Sequence, residues 1–281
     1  MQPQWAFILF APLVMLALIH FKQQNGWPKW LLPLAIVNVS IIIIVRIIVI
    51  AGFGFSRTYG HLKSYYGFKE WTQQVKQKAG DNYVVMAEGF QNPSKYNYYT
   101  NSLKCFAYDS RYYRATQYDI WPMEDSIQHK KLLYLTIQPI KGLTTDSIKN
   151  EAGKCYCNWV DDVRTYQKVV IETAPLKLTT APNAVTSFDL TISNPYPHPI
   201  SFTDSGYTHP VKLEYCYFKG DVLTDVVEAK DTYKKITLQP GEQTHFTFPV
   251  TSPKEKGEFN LIFSLRTDPF YGSKNSRVIK L

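Results

Sequence analysis

Residues 31–53 read LLPLAIVNVSIIIIVRIIVIAGF, an apolar run broken by one charge, Arg46. At a helical rise of ~1.5 Å per residue the run reaches ~34 Å, against a hydrocarbon core of ~30 Å. Inside a bilayer every backbone N–H and C=O must find a partner within the chain, so the run predicts a transmembrane helix. A second apolar run precedes it, residues 5–21, WAFILFAPLVMLALIHF. It is shorter, ~25 Å as a helix, and contains Pro12. Met1–Gln4 lacks the positive charge of a signal peptide and no small-x-small cleavage site follows. The linker KQQNGWPKW, residues 22–30, holds Gly26, Pro28 and two flanking tryptophans, which suits a tight interfacial turn. Residues 1–55 are therefore expected to form a hairpin of two transmembrane helices, about 5–21 and 31–53.

No Asp or Glu occurs before Glu70. The membrane part thus has no carboxylate for acid–base or metal chemistry. Lys22, Lys29, Arg46, Arg57, Lys63 and Lys69 lie in the same stretch and contribute much of the net charge of +8. A positive charge concentrated around apolar spans is a membrane-surface pattern and argues against nucleic acid as a partner.

Beyond the spans the pattern changes twice. GFKEWTQQVKQKA, residues 67–79, puts Phe68, Trp71 and Val75 on one helical stripe and stops at Gly80. YVVMA (83–87), the run 104–108 and KLLYLTI (131–137) have strand composition, and Asn92-Pro93-Ser94 opens a turn or helix. Alternating helix and strand signals make residues 56–165 a small α/β domain. From Val169 onward short β-rich runs are punctuated by Pro, Gly, Asn and Asp, and residues 187–193 (SFDLTIS) alternate with a period of two. This rhythm predicts a β-sandwich of immunoglobulin-like type over residues 166–281. Residues 272–281 are expected as a last edge strand or a loose tail. Cys105, Cys155, Cys157 and Cys216 lack zinc-site spacing and read as buried thiols or one disulfide.

Motifs of known chemistry are sparse. No G-x-S-x-G occurs, and His61, His129, His198, His209 and His245 show no metal-binding spacing. Gly52-Phe53-Gly54 ends an apolar span and is not a phosphate loop. Asp161-Asp162 reads as a solvated turn. No metal and no cofactor is implied.

Three places remain as candidate contacts for a lipid phosphate or a sugar. Arg46 lies seven residues from the end of its apolar run, ~10 Å along a helix. It either snorkels to the interface or touches a lipid phosphate. The stretch SRTYGHLKSYY, residues 56–66, contains Arg57 and is basic and aromatic just beyond the membrane. Residues 92–125, NPSKYNYYTNSLKCFAYDSRYYRATQYDIWPMED, interleave tyrosines with cations and amides. Such surfaces grip sugar rings and phosphates, with Lys95, Tyr96, Tyr113 and Arg114 as candidates. The same tyrosines would equally pack a small domain against the membrane surface.

The sequence S-K-Y-x-x-Y-T (94–100), then Tyr112-Tyr113-Arg114, then Y-D-I-W-P-M-E-D (118–125) resembles the C-terminal extracytoplasmic region of bacterial family 39 glycosyltransferases. These are relatives of dolichyl-phosphate-mannose–protein mannosyltransferases and of the lipid A aminoarabinose transferase, in a form similar to that of Bacteroidetes. Pro3-Gln4-Trp5 and residues 67–71 (GFKEW) fit the same pattern. The resemblance implies a membrane enzyme moving sugar from a polyprenyl-phosphate carrier to an extracytoplasmic acceptor. It also implies a catalytic carboxylate in an early loop, and no residue here corresponds to it. The expectation is therefore the C-terminal part of such an enzyme, inactive without its N-terminal half, with membrane lipids, the sugar donor and that half as partners. The resemblance places the soluble region in the periplasm, at the bacterial inner membrane. Arg57, Lys63, Lys69, Lys76 and Lys78 favour the opposite orientation by count, but long folded regions translocate largely regardless of charge. The alternative is a non-enzymatic, membrane-anchored module that binds glycan, lipid or protein.

Overall fold

The computed structural model describes residues 7–23, 26–53, 66–87, 89–108, 111, 116–143 and 146–281. The chain divides into two compact units, residues 1–66 and 67–281.

The first unit holds helices α1 (Phe7–Gln23) and α2 (Leu31–Ala51). Helix α2 ends at Gly52, whose φ of 69° lets its N–H turn back to the carbonyls of Ile48 and Val49. A residue with a Cβ adopts this left-handed cap less readily. No α2 side chain is buried. With 21 residues and a mean hydropathy of 2.9, α2 is long and apolar enough to cross a membrane. Among the described residues α2 alone meets that condition, so one of the two expected spans is shown and the other is not. Helix α1 has 17 residues, ~26 Å of rise, short of the ~30 Å hydrocarbon core.

The second unit begins with α3 (Phe68–Ala79), β1 (Tyr83–Ala87), α4 (Gln91–Thr100), β2 (Cys105–Tyr108) and the single turn α5 (Gln117–Ile120). A 3-10 turn at Glu124–Ser126 leads into β3 (Leu132–Thr136), β4 (Asp146–Asn150) and β5 (Gly153–Val160). These strands form one sheet in the order β2-β1-β3-β5-β4. Strand β1 runs parallel to β2 and β3, while β5 is antiparallel to both β3 and β4. The short apolar runs of β1 and β3 follow from burial on both faces, which removes any need for polar alternation. Val84 and Met86 point to the face covered by Trp71, Val75 and Tyr96, and Val85 points to the other.

Nine further strands follow: β6 (Val170–Glu172), β7 (Val185–Ser193), β8 (Ile200–Ser201), β9 (Val211–Lys219), β10 (Val222–Glu228), β11 (Thr237–Leu238), β12 (Gln243–Thr251), β13 (Asn260–Thr267) and β14 (Ile279–Lys280). They make sheets ordered β12-β7-β6 and β10-β9-β13-β14, plus the pair β11-β8. Phe188, Leu190, Ile192, Phe248 and Val250 from one sheet share a core with Leu213, Tyr215, Tyr217, Leu261, Phe263 and Leu265 from the other. This is sandwich-like packing of two inward faces. The expected period of two in residues 187–193 is present, with Phe188, Leu190 and Ile192 buried. The C-terminal residues close the sheet edge as β14.

Strands β9 and β13 are buried on both faces. Their outward side chains, Glu214, Cys216, Ile262 and Ser264, are covered too. Phe270, just after β13, sits in the core of the five-stranded sheet beside Tyr108 and Tyr134. The backbone N–H of Arg111 donates to the Gly272 carbonyl at 2.7 Å, and Tyr108 OH lies 3.2 Å from Ser273 Oγ. Residues 67–281 are thereby held as one compact body. All four cysteines are free and buried.

Candidate functional site

The tyrosine-rich segment folds around α4 and α5. Pro93 and Tyr96 turn toward the sheet. Ser94 lies one turn before Tyr98 on the same helical face, and its Oγ is 3.1 Å from the Tyr118 hydroxyl. Tyr118 in turn meets Trp121 edge to face, with centroids 5.3 Å apart. Around this contact Tyr98 is 80% exposed, Ile120 81% and Trp121 43%. Tyr98 and Tyr99 pack edge to face. The outcome is an exposed aromatic ledge held by the Ser94–Tyr118 contact. Burial, opposed by the Ser94 hydrogen bond, raises the Tyr118 pKa, so the phenol is a neutral polar group. Such a ledge stacks on sugar faces or settles among lipid headgroups.

The named candidates occupy separate places. Arg46 lies on α2 and is exposed, five residues before the helix end at Ala51, ~8 Å of rise. Lys95 sits with Nζ 3.4 Å from the centroid of the Phe68 ring, and burial lowers its pKa. This cation–π contact gives Lys95 a place in the packing of α3 on α4. Tyr96 is 2% exposed and belongs to the helix–sheet core. Burial first, then the nearby Cys105, pushes its phenol up to about 12. Arg57, Tyr113 and Arg114 lie outside the described residues.

The end of the same motif does structural work that the sequence did not signal. Glu124 is 3% exposed. One carboxylate oxygen accepts the Gln167 N–H at 2.9 Å and the other accepts the Tyr196 hydroxyl at 2.6 Å. Burial raises the Glu124 pKa, and these hydrogen bonds oppose the rise. Asp125 lies 3.7 Å from His198, whose ring stacks on Tyr196. The motif thus clasps residues 167–198 of the sandwich.

The remaining candidate chemistry is dispersed. His129 pairs with Asp162 at 2.9 Å, and His209 Nε2 meets the Asp161 carbonyl at 2.9 Å. The Asp161-Asp162 turn is thus occupied by ion pairs and backbone contacts, with Lys131 on Asp161 at 3.2 Å. Among the described residues no group of three His, Cys, Asp or Glu could hold a metal ion. Trp71 Nε1 donates to Cys155 Sγ at 3.3 Å. Hydrogen bonding from Cys157 first, and more weakly from Trp71, lowers the Cys155 pKa against the opposing effect of burial, and the Cys157 pKa is raised in turn.

The sandwich carries a groove of about 650 Å³ on its outer side. Glu172, Thr173, Asp189, Thr191 and Arg277 line it. Asp189 and Thr191 are outward positions of β7, Glu172 ends β6, and Val170 and Leu176 add apolar surface.

No protein family matches this chain, and no curated protein matches it. Among solved structures, it is similar to the crystal structure of Spo0M, a sporulation control protein from Bacillus subtilis. The similarity covers 38% of this chain and 45% of that one, with 15% identity and a TM-score of 0.25. The match spans less than half of that protein's length, and a score this low carries no argument about function.

Proposed function

We propose that this chain is a membrane-anchored, non-catalytic part of a sugar transferase of the family 39 kind. In this reading it acts beside a polypeptide that supplies the catalytic carboxylate, and sugar passes from a polyprenyl-phosphate carrier to an extracytoplasmic acceptor. Both apolar helices cross the bacterial inner membrane and hold residues 67–281, with an immunoglobulin-like sandwich, on the periplasmic side. The observation that carries the reading is the Ser94–Tyr118–Trp121 contact. Residues from two separate parts of the resembling motif, 94–100 and 118–125, converge on one exposed ledge, where a sugar face or lipid headgroup finds aromatic surface. The lack of a carboxylate before Glu70 supports a positioning role in this reading.

The test is reconstitution in liposomes with a family 39 partner chain that carries the early-loop carboxylate and a radiolabelled polyprenyl-phosphate sugar. Transfer is expected only with both chains present, and replacing Tyr98, Ile120 and Trp121 by Ala is expected to raise KM for the donor. No transfer with both chains present defeats the proposal.

A second reading, a membrane-anchored binding module with no part in transfer, is favoured by the polar groove at Glu172, Asp189 and Arg277. Glycan-array binding that survives loss of the aromatic ledge and falls with Asp189→Ala would select it.

A further inference from the structure

Large apolar side chains left in water as a cluster mark a surface that meets something else. The ledge is such a cluster. Tyr98 and Ile120 are largely exposed, and Tyr99 and Trp121 partly so. Tyr98 and Tyr99 pack on each other, and Trp121 packs on Tyr118, which the Ser94 hydroxyl holds against α4.

Two cations stand beside these rings. Lys168 Nζ donates to the Trp121 carbonyl at 2.9 Å. Lys95 lies one helical turn before Tyr98 and Tyr99 on α4. Tyrosine, tryptophan and lysine are the side chains that rest at a bilayer interface, with the apolar body toward the acyl chains and the polar tip among the headgroups.

The ledge is also close to where the second unit's chain begins. Lys95 Nζ covers the ring of Phe68, and Phe68 is the second residue of that unit. Ledge and chain entry are therefore about one helical turn apart along α4, ~5 Å. In the first unit, the Tyr66 hydroxyl donates to the Val49 carbonyl, two residues before α2 ends at Ala51. The chain thus leaves the first unit beside the last turn of α2.

We propose that the ledge docks residues 67–281 on the bilayer that α2 crosses, with Tyr98, Ile120 and Trp121 in the headgroup layer. The inference rests on the membrane-anchored reading above and names the bilayer itself, not the sugar donor, as what the ledge meets. Three interfacial side chains bind a membrane weakly on their own. Tethering through α2 makes the contact intramolecular, so a weak contact suffices to fix which face of the body turns toward the lipid. A body that has lost this contact meets a membrane-borne donor less readily, so a raised KM in ledge variants needs no direct grip on sugar.

The test uses the full chain in liposomes of phosphatidylethanolamine and phosphatidylglycerol with no sugar donor. Single cysteines carry an environment-sensitive fluorophore: Ile120→Cys on the ledge, Ile42→Cys on α2 and Val185→Cys on β7. All three positions are exposed, and the parent chain, whose four cysteines are buried, is the blank. Nitroxide lipids labelled in the headgroup or deep in the acyl chain read depth. The Ile120 label is expected to shift to the blue and to be quenched by the headgroup nitroxide, and the Val185 label is not. The quenching should persist at about 1 M NaCl, where the screening length is ~3 Å, because ring insertion does not depend on charge. Tyr98→Ser combined with Trp121→Ser should lower it to the Val185 level and leave Ile42 quenched by the acyl-chain nitroxide. An Ile120 label as open to water as Val185, with Ile42 still quenched, would overturn the docking and leave the anchoring intact. Immersion of Ile120 that appears only after a polyprenyl-phosphate sugar is added would assign the ledge to the donor and also overturn it. An Ile42 label that the acyl-chain nitroxide does not reach would remove the anchoring, and the docking with it.

Discussion

The ring of Phe270 stacks on that of Tyr108, with centroids 4.9 Å apart and planes 24° from parallel. Phe270 follows the last long strand of the sandwich, and Tyr108 ends the edge strand of the five-stranded sheet. Residues 162 positions apart in sequence thus complete one core. The unit 67–281 is expected to unfold in a single cooperative transition. Phe270→Ala should cost about 3–5 kcal/mol, the usual range for losing a buried aromatic. Denaturant curves followed by tryptophan fluorescence and by far-UV circular dichroism should coincide in the native chain. Two separate transitions in the native chain would contradict this account.

Gly272→Ala brings the steric relation between Gly272 and Arg111 to a measurable effect. The methyl would overlap the guanidinium, so Arg111 must leave Glu214. Breaking a buried ion pair by displacing one partner costs about 3–5 kcal/mol. Glu214→Gln should have an effect of similar size, and the two changes together should cost less than their sum, because they remove the same contact. Additive losses would show that the contacts are independent.

Glu124 sets a pH dependence with a definite sign. Burial raises its folded pKa, so the folded state holds this proton more tightly than the unfolded chain does. The favourable contribution is fully present below the unfolded carboxylate value of about 4.3. It is lost as pH rises through the folded value. Glu124→Gln removes this titration. The difference in unfolding free energy between variant and parent, measured from pH 4 to pH 7, should move in favour of the variant as pH rises. A difference that stays constant would refute the assignment.

Cys155 should be the most readily alkylated of the four thiols. Its pKa is lowered by hydrogen bonding from Cys157 first, and from Trp71, whereas burial raises that of Cys105. The iodoacetamide rate against pH, read by mass spectrometry on each cysteine peptide, should have its lowest inflection at Cys155. Cys157→Ala should move that inflection upward.

Residues 67–281 are compact on their own, and α2 has the length and hydropathy of a membrane span. Deleting residues 1–66 should therefore move the protein from the membrane pellet to the soluble fraction with its fold retained. Recovery of the truncated chain in the pellet as folded protein would point to a second membrane contact, and the Tyr98–Ile120–Trp121 ledge is the surface to alter next.

Much of this architecture follows from local pattern. The apolar run of α2 needs no partner to be recognised, because the bilayer dictates its length and composition. The stripe of α3 and the period of two in β7 are equally local, since each follows from which side chains share a face. Helix α1 carries the same signal more weakly, because its 17 residues include Pro12. Tyr96 was grouped with surface tyrosines because composition alone does not say which face of a short helix meets a sheet. Only the fold turned it inward.

The long-range decisions belong to tertiary structure. Nothing in VKLEYCYF marks Glu214 as a buried ion-pair partner of Arg111, 103 residues away. An isolated acid in a strand reads as solvent-facing until another layer covers that face. Glu124, Gly272 and Phe270 share this character, since each takes its role from a segment distant in sequence. The amino-acid sequence by itself determined the apolar anchor, the strand-rich body and the missing carboxylate, because those depend on composition and periodicity. Which charges are buried, and which partners they find, was decided only when the sandwich and the five-stranded sheet closed on each other and removed water from between them.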